Sequence, residues 1–177
     1  GDGGCVITND DELYEKLLLF RDHGRDLQGD VVVWAMNSRL DNLQAAILNH
    51  KLKSYDQAVA RRRQIAAMYD ERLGGVSELR LPPAPDGDPD HFDIFQNYEI
   101  EAERRNRLRD FLKQHGIGTL IQWGGKAVHQ FDKLGFTQRL PYTEELFTRL
   151  LMLPMNTSLT DEDMDYVSVC IKKFYAT

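Results

Sequence analysis

The sequence predicts an α/β protein, a small sheet with helices on one face, and three observations lead there. Beyond residue 96, short apolar stretches alternate with amphipathic segments of helical period. From Ser38 to Leu73 apolar side chains recur at helical spacing. The composition is that of a folded chain: 177 residues, 42% apolar and 28% charged, with 13 Gly and 6 Pro, which excludes global disorder and low complexity. That length admits one domain, or one and a small second, and suffices to bury about 70% of the unfolded surface.

The chain opens on Gly1-Asp2-Gly3-Gly4 without a lead-in, as expected of a chain cut from something longer. Cys5–Thr8 reads as a short strand. Asn9-Asp10-Asp11-Glu12 then supplies a capping side chain and carboxylates for the positive end of a helix that ends near Gly24, with Leu13, Leu17 and Phe20 on one face. Residues 24–36 form a loop with an apolar patch, Val31-Val32-Val33-Trp34.

Ser38-Arg39-Leu40-Asp41 fits a capping box that opens the next helix. At about 1.5 Å per residue an unbroken helix to Leu73 would run about 50 Å, so it is kinked or split, or it bridges two parts of a larger molecule. A coiled coil is the weaker account, because the seam is short and arginines interrupt it.

Four of the six prolines fall in Pro82–Pro89, a linker. A strand at Gln96–Glu101, a helix at Glu103–His115 and a strand at Thr119–Gln122 follow, then a Gly-rich turn at Trp123-Gly124-Gly125. A helix near Thr143–Leu150, an apolar stretch at Leu151–Leu153 and a last helix from Thr160 to Tyr175 complete the chain. Thr160 and Asp163 form its capping box.

Acidic residues outnumber basic ones 28 to 22, for a net charge of −6 and a pI near 5.4, which argues against a general nucleic-acid or membrane-surface binder. An anionic ligand must therefore meet a few local donors. The longest apolar runs, Leu17–Phe20 and Val31–Met36, are too short to span a bilayer. The two cysteines, Cys5 and Cys170, and five scattered histidines show no metal-ligand spacing, so no metal site is expected. The thiols read as reduced and mostly buried, in a cytoplasmic protein.

Three segments have the chemistry to approach a ligand or hold a phosphate, each with a structural alternative. The Gly1–Gly4 loop can let a backbone approach a ligand, or make a tight turn. Arg21, His23 and Arg25 complement a helix C-terminus, or grip a diphosphate through paired guanidinium N–H groups. Asn37-Ser38-Arg39 caps a helix, or offers its free N–H groups and the Asn37 amide to a phosphate. Trp123, Lys126 and His129 follow a strand end, where loops contribute site residues. Arg61-Arg62-Arg63 and Arg104-Arg105-Asn106-Arg107 read as solvated helix faces.

Taken in order, Gly1-Asp2-Gly3-Gly4-Cys5-Val6-Ile7-Thr8-Asn9-Asp10, Arg21-Asp22-His23-Gly24 and Asn37–Ala46 resemble the DegT/DnrJ/EryC1/StrS sugar aminotransferases. Arg61–Tyr69, Gly116–Thr119 and Leu153-Pro154-Met155-Asn156 with Leu159-Thr160 extend the resemblance along essentially the whole chain. It implies the C-terminal part of an aspartate aminotransferase-like (fold type I) enzyme that uses pyridoxal 5′-phosphate (PLP). Residues 1–50 would end the PLP-binding large domain, 51–80 would be a bridging helix, and 81–177 would be the small domain. Such enzymes are homodimers with shared active sites, and they move an amino group from glutamate to a nucleotide-linked keto-sugar.

The Schiff-base lysine of the pattern lies just before the Gly-Asp-Gly-Gly turn, upstream of Gly1, so this chain alone is expected to be inactive. Asn37 matches the asparagine that reaches the PLP phosphate of the neighbouring subunit. Arg21, His23, Arg25 and Arg39 are implied at the dimer interface or the diphosphate. Ile121–His129 departs from the common Pro-Leu-His segment and is similar to the branch that aminates C3 of deoxyhexoses, placing Trp123, Lys126 and His129 near the sugar. The rival readings are a C4 enzyme and a lysine-less module that binds a nucleotide sugar or dimerises.

Overall fold

The computed structural model describes residues 3–176 and divides into two compact units, one ending at Tyr55 and one beginning at Asp56.

In the first unit, helix α1 (Asp11–Arg21) starts where the acidic cluster predicts. Asp10 is its N-cap, accepting from Leu13 N at 3.0 Å, and Asp11 and Glu12 occupy the first turn. The helix ends at Asp22, and Gly24 N donates back to Leu19 O at 2.8 Å, closing the last turn. Cys5–Thr8 is not a strand: no described segment offers it a ladder partner, and Val6 and Ile7 are exposed. Cys5 is exposed as well, which corrects the expectation of two buried thiols; Cys170 is buried and both are free.

The helix predicted from Ser38 begins later and is split. Helix α2 spans Asn42–Leu52, with Asp41 as its N-cap residue, and α3 spans Tyr55–Leu73. Ser38 caps nothing: its N–H is taken by Arg21 O at 2.8 Å, which holds this stretch extended against the end of α1. The break falls at Lys53–Ser54, where Ser54 N and Oγ both donate to Lys51 O.

Apolar side chains of the first unit have little to pack on. Gly24 is the one buried residue among those described there, while Ile7 (91%), Leu27 (100%) and Trp34 (98%) stand almost fully in solvent.

The second unit has a core around a three-stranded antiparallel sheet, β1 (Leu79–Arg80), β2 (Tyr98–Ala102) and β3 (Leu150–Leu153), with β2 central. Tyr98 pairs with Leu153 and Ile100 with Leu151. Alternation puts Tyr98, Ile100 and Ala102 into the core. There they meet Ile65, Tyr69 and Leu73 of α3, Leu108 and Leu112 of α4 (Arg105–Gln114), and Met164 and Ile171 of α6 (Asp161–Tyr175). Tyr69 stacks on Tyr98 with ring centroids 4.7 Å apart and donates to Pro154 O at 2.9 Å. Thr160 and Asp163 close the predicted capping box of α6.

Two expectations for this unit need correction. Helices do not keep to one face: α5 (Pro141–Arg149) packs against β2, and its Arg149 meets Glu101 on the polar side at 3.2 Å. The strand predicted at Thr119–Gln122 shrinks to one bridge, Leu120 with Met152. Trp123, Gly124 and Gly125 all have positive φ (51°, 66° and 78°), and three left-handed residues in succession cannot extend a ladder.

The arginine run of α3 is no solvated face either. Arg61 donates to Leu159 O and pairs with Asp161, Arg62 donates to the carbonyls of Phe95, Gln96 and Met155, and Arg63 binds Asp93 O and Asp86 beneath Phe92. Helical spacing spreads three guanidiniums over loop carbonyls that lack sheet partners. In the second run, Arg105 donates to Leu150 O at 2.9 Å and Arg104 lies over the Phe174 and Tyr175 rings, while Arg107 is exposed as expected.

Candidate functional site

Two sets of predicted site residues are assembled, one in each unit. In the first unit, the end of α1 runs antiparallel to residues 36–38, bridged between Asp22 and Asn37. His23 N donates to Met36 O at 3.0 Å and Ser38 N to Arg21 O, so Arg21, His23 and Asn37 sit on one short ladder. His23 has φ +58, the left-handed turn that lets the chain reverse after the helix.

Asp22 organises the set. Arg25 donates to both its carboxylate oxygens, at 3.0 and 2.9 Å, and Arg39 Nη1 lies 3.3 Å from Oδ1. The Arg25 hydrogen bonds hold the Asp22 carboxyl below its usual range, with Arg39 and His23 adding charge in the same sense. Arg39 Nε also donates to Asn37 Oδ1 at 3.0 Å, which leaves the Asn37 N–H groups as the free end of that amide.

The arrangement differs from the predicted helix-terminus site, because α2 begins at Asn42 and its N–H groups are not those of Asn37-Ser38-Arg39. Arg21, with an exposed side chain, joins through its backbone carbonyl alone. Two guanidiniums, of Arg25 and Arg39, and an amide against one carboxylate still make a donor set suited to phosphate oxygens, and the phosphate of PLP fits its chemistry. The Gly1–Asp2 part of the glycine loop lies outside the described residues.

In the second unit Trp123, Lys126 and His129 come together in a cleft of about 790 Å³, walled also by Phe131, Leu140 and Phe147. The volume suits a small organic ligand. The left-handed Trp123-Gly124-Gly125 turn leaves the Trp123 indole 72% exposed on the cleft wall.

His129 is set deeper. Its side chain is only 6% exposed, and Nε2 lies 3.4 Å from Glu144 Oε1. Glu144, in the first turn of α5, accepts from Arg139 Nε (3.0 Å) and Nη2 (2.9 Å) and from Leu140 N (3.1 Å). Those hydrogen bonds, Arg139 first, hold its carboxyl down at about 2.

A pH dependence follows. Stability from this ionised carboxylate is complete above its ordinary value of 4.5 and is lost as pH falls through about 2. The difference in melting temperature between the chain and its Glu144→Gln variant should be flat above pH 5 and shrink below it; a difference that persists unchanged to pH 2 would exclude this.

Sequence reasoning missed Asp22 and Glu144 as organisers. Asp22 stood inside a quoted motif, three residues from Arg25, a spacing that pairs them at a helix end. Glu144 had no signal beyond an acid near a helix start. Among the described residues no group of His, Cys, Asp and Glu could hold a metal ion, and no helix is long and apolar enough to cross a membrane.

An α/β unit joined in sequence to a loop pair that carries guanidinium and amide donors has solved counterparts. A DegT/DnrJ/EryC1/StrS aminotransferase from Brucella abortus matches with a TM-score of 0.82 at 33% identity, over 96% of this chain and 45% of that one. The class is thus that of the fold type I aminotransferases, of which this chain corresponds to the C-terminal half.

The chain belongs to the DegT/DnrJ/EryC1/StrS aminotransferase family, whose model matches residues 1–172. A Geobacillus stearothermophilus protein named a pleiotropic regulatory protein is 39% identical over 99% of this chain and 48% of its own length. The dTDP-3-amino-3,4,6-trideoxy-alpha-D-glucose transaminase of Streptomyces venezuelae is 39% identical over 70% of this chain and 32% of its own. The chain therefore spans at most about half the length of these relatives.

Proposed function

We propose that this chain serves as the C-terminal part of a PLP-dependent aminotransferase that moves an amino group from glutamate to a keto-sugar on a nucleoside diphosphate, at C3 of a dTDP-linked keto-deoxyhexose. One observation carries the reading: Asp22 pairs with Arg25 and Arg39, and Arg39 holds the Asn37 amide oxygen, leaving its N–H groups free for a phosphate. The 3-amino sugar in the name of the Streptomyces venezuelae relative supports C3. PLP, when bound, supplies the electron sink that stabilises the carbon giving up its proton.

In this reading Asn37 donates to the phosphate of the PLP held by the neighbouring subunit. Arg25 and Arg39, oriented by Asp22, face the substrate diphosphate together with Arg21 and His23. Trp123 offers a flat apolar wall to the sugar or base, Lys126 a positive charge at the rim, and His129 a hydrogen-bonding nitrogen. The enzyme works as a cytoplasmic homodimer with shared active sites. Residues 1–50 end its large domain, 51–80 form the connecting segment, and 81–177 form its small domain. The exposed Leu27, Val31 and Trp34 of the first unit support burial against the rest of such an assembly.

The test supplies the full-length protein with glutamate and dTDP-linked 3-keto- and 4-keto-6-deoxyhexoses and analyses products by mass spectrometry. The 3-amino sugar is expected. A 4-amino product alone moves the chemistry to C4. Absence of turnover together with an unchanged PLP spectrum leaves a non-catalytic binding or dimerisation module. Asn37→Ala should weaken PLP retention about tenfold, the worth of one hydrogen bond to a charged group. Unaltered cofactor affinity removes that role.

A further inference from the structure

In the cleft of the second unit His129 is buried beside a carboxylate that is itself held in place, which is more than packing requires. Its imidazole has two nitrogens of different surroundings. Nε2 is buried, makes no hydrogen bond of good geometry, and lies 3.4 Å from Glu144 Oε1. The ring lines the cleft with Trp123 and Lys126, so Nδ1 is the nitrogen left for a ligand.

Glu144 is itself immobilised. Arg139 grips both its oxygens from outside, through a side chain that is 81% exposed, and Leu140 N donates to the same Oε1 that faces His129. Pro141 opens α5 three residues before Glu144, where a missing N–H costs nothing and φ is already helical. The carboxylate is thereby placed by the backbone of the helix start, and an imidazole beside it will turn its N–H toward it.

We infer that Glu144 is a positioning residue: it fixes His129 in the tautomer protonated at Nε2, so that Nδ1 stands in the cleft as a hydrogen-bond acceptor for a ligand hydroxyl. This extends the proposed sugar site and rests on that reading only for the identity of the ligand. An acceptor nitrogen pairs with the hydroxyls of a sugar, whereas the cationic Lys126 and Lys133 on the same cleft suit its diphosphate. The orientation of His129 is thus a device for choosing which end of a nucleotide sugar enters the deep part of the cleft.

The experiment is nitrogen NMR on the chain labelled with ¹⁵N-histidine, at a pH where His129 is neutral, with dTDP-glucose as probe. The expected spectrum has a protonated Nε2 and an unprotonated Nδ1 at His129, and dTDP-glucose shifts Nδ1. Glu144→Ala should mix the two tautomers and weaken dTDP-glucose binding about fivefold. Glu144→Gln keeps an acceptor oxygen for Leu140 and His129 while the exposed Arg139 swings away, and it should restore the wild-type tautomer.

Glu144→Ala with both His129 nitrogens unmoved overturns the inference, whatever the probe does. So does Glu144→Gln behaving as Glu144→Ala in a chain whose amide spectrum remains folded. A tautomer that responds to Glu144→Ala while dTDP-glucose leaves Nδ1 unshifted supports the positioning role and sinks the nucleotide-sugar reading of the cleft.

Discussion

Gly24→Ala is expected to cost the first unit about 3 kcal/mol and to release the Asn37 loop from the end of α1. Gly24 has φ +73, and a Cβ there would sit 1.9 Å from Val33 O and 2.9 Å from Val33 C. Those are backbone atoms, so no side-chain rotation relieves the clash. The close approach is what allows Val32 N to donate to Gly24 O at 2.9 Å and His23 N to reach Met36 O.

Amide exchange at Val32, His23 and Ser38 should quicken about a hundredfold in the variant, the factor that follows from that free energy. PLP retention in the full-length protein should fall with it, because Asn37 rides on the same ladder. Gly29→Ala is the control. It shares the left-handed backbone (φ +92) but meets nothing within 4 Å, so it carries only the conformational strain of about 1 kcal/mol. Equal exchange rates in the two variants would mean that strain, not the close approach, governs the loop.

Legibility differed between the two units for a physical reason. Caps are local: Asp10 and the Thr160–Asp163 box bond within three residues, and both helices start where the sequence predicts. The core of the second unit was legible too, since Ala66, Tyr69 and Leu73 keep helical period and are fully buried. Strand Cys5–Thr8 was not, because a strand is defined by its partner and none lies among the described residues.

Ser38 misled because a capping box and an extended segment use the same side chains; the deciding group is Arg21 O, seventeen residues earlier. The site divides in the same way. The motif order pointed to the family and grouped Arg25 with Arg39, but their meeting with Asn37 and their dependence on Asp22 are a matter of ångströms. The His129–Glu144 contact spans fifteen residues across two short helical turns, beyond any periodic signal.

Arg62 tests the least legible part of the fold. The sequence presents it as an interruption of an apolar helix face, yet one of its nitrogens, Nη1, lies 3.1 Å from Phe95 O, 2.7 Å from Gln96 O and 3.4 Å from Met155 O. Phe95 has φ +50, a left-handed turn that aims successive carbonyls away from the sheet just before β2 begins. Met155 follows β3. One guanidinium on α3 therefore satisfies the carbonyls where the two main strands enter and leave the core.

Arg62→Met keeps an apolar stem and removes the donors. It should lower the unfolding free energy of the second unit by about 3 kcal/mol, because half-buried carbonyls lose a charged partner and gain none. Arg62→Lys restores the charge without the planar fork and should recover about half of that loss. Urea unfolding of the three proteins at one pH measures it, read from the midpoint at constant slope. Arg62→Met matching the wild type would return the arginine run to the solvated face that the sequence first suggests, and the strand ends would then owe their geometry to the Tyr69–Tyr98 stack and the Tyr69 bond to Pro154 alone.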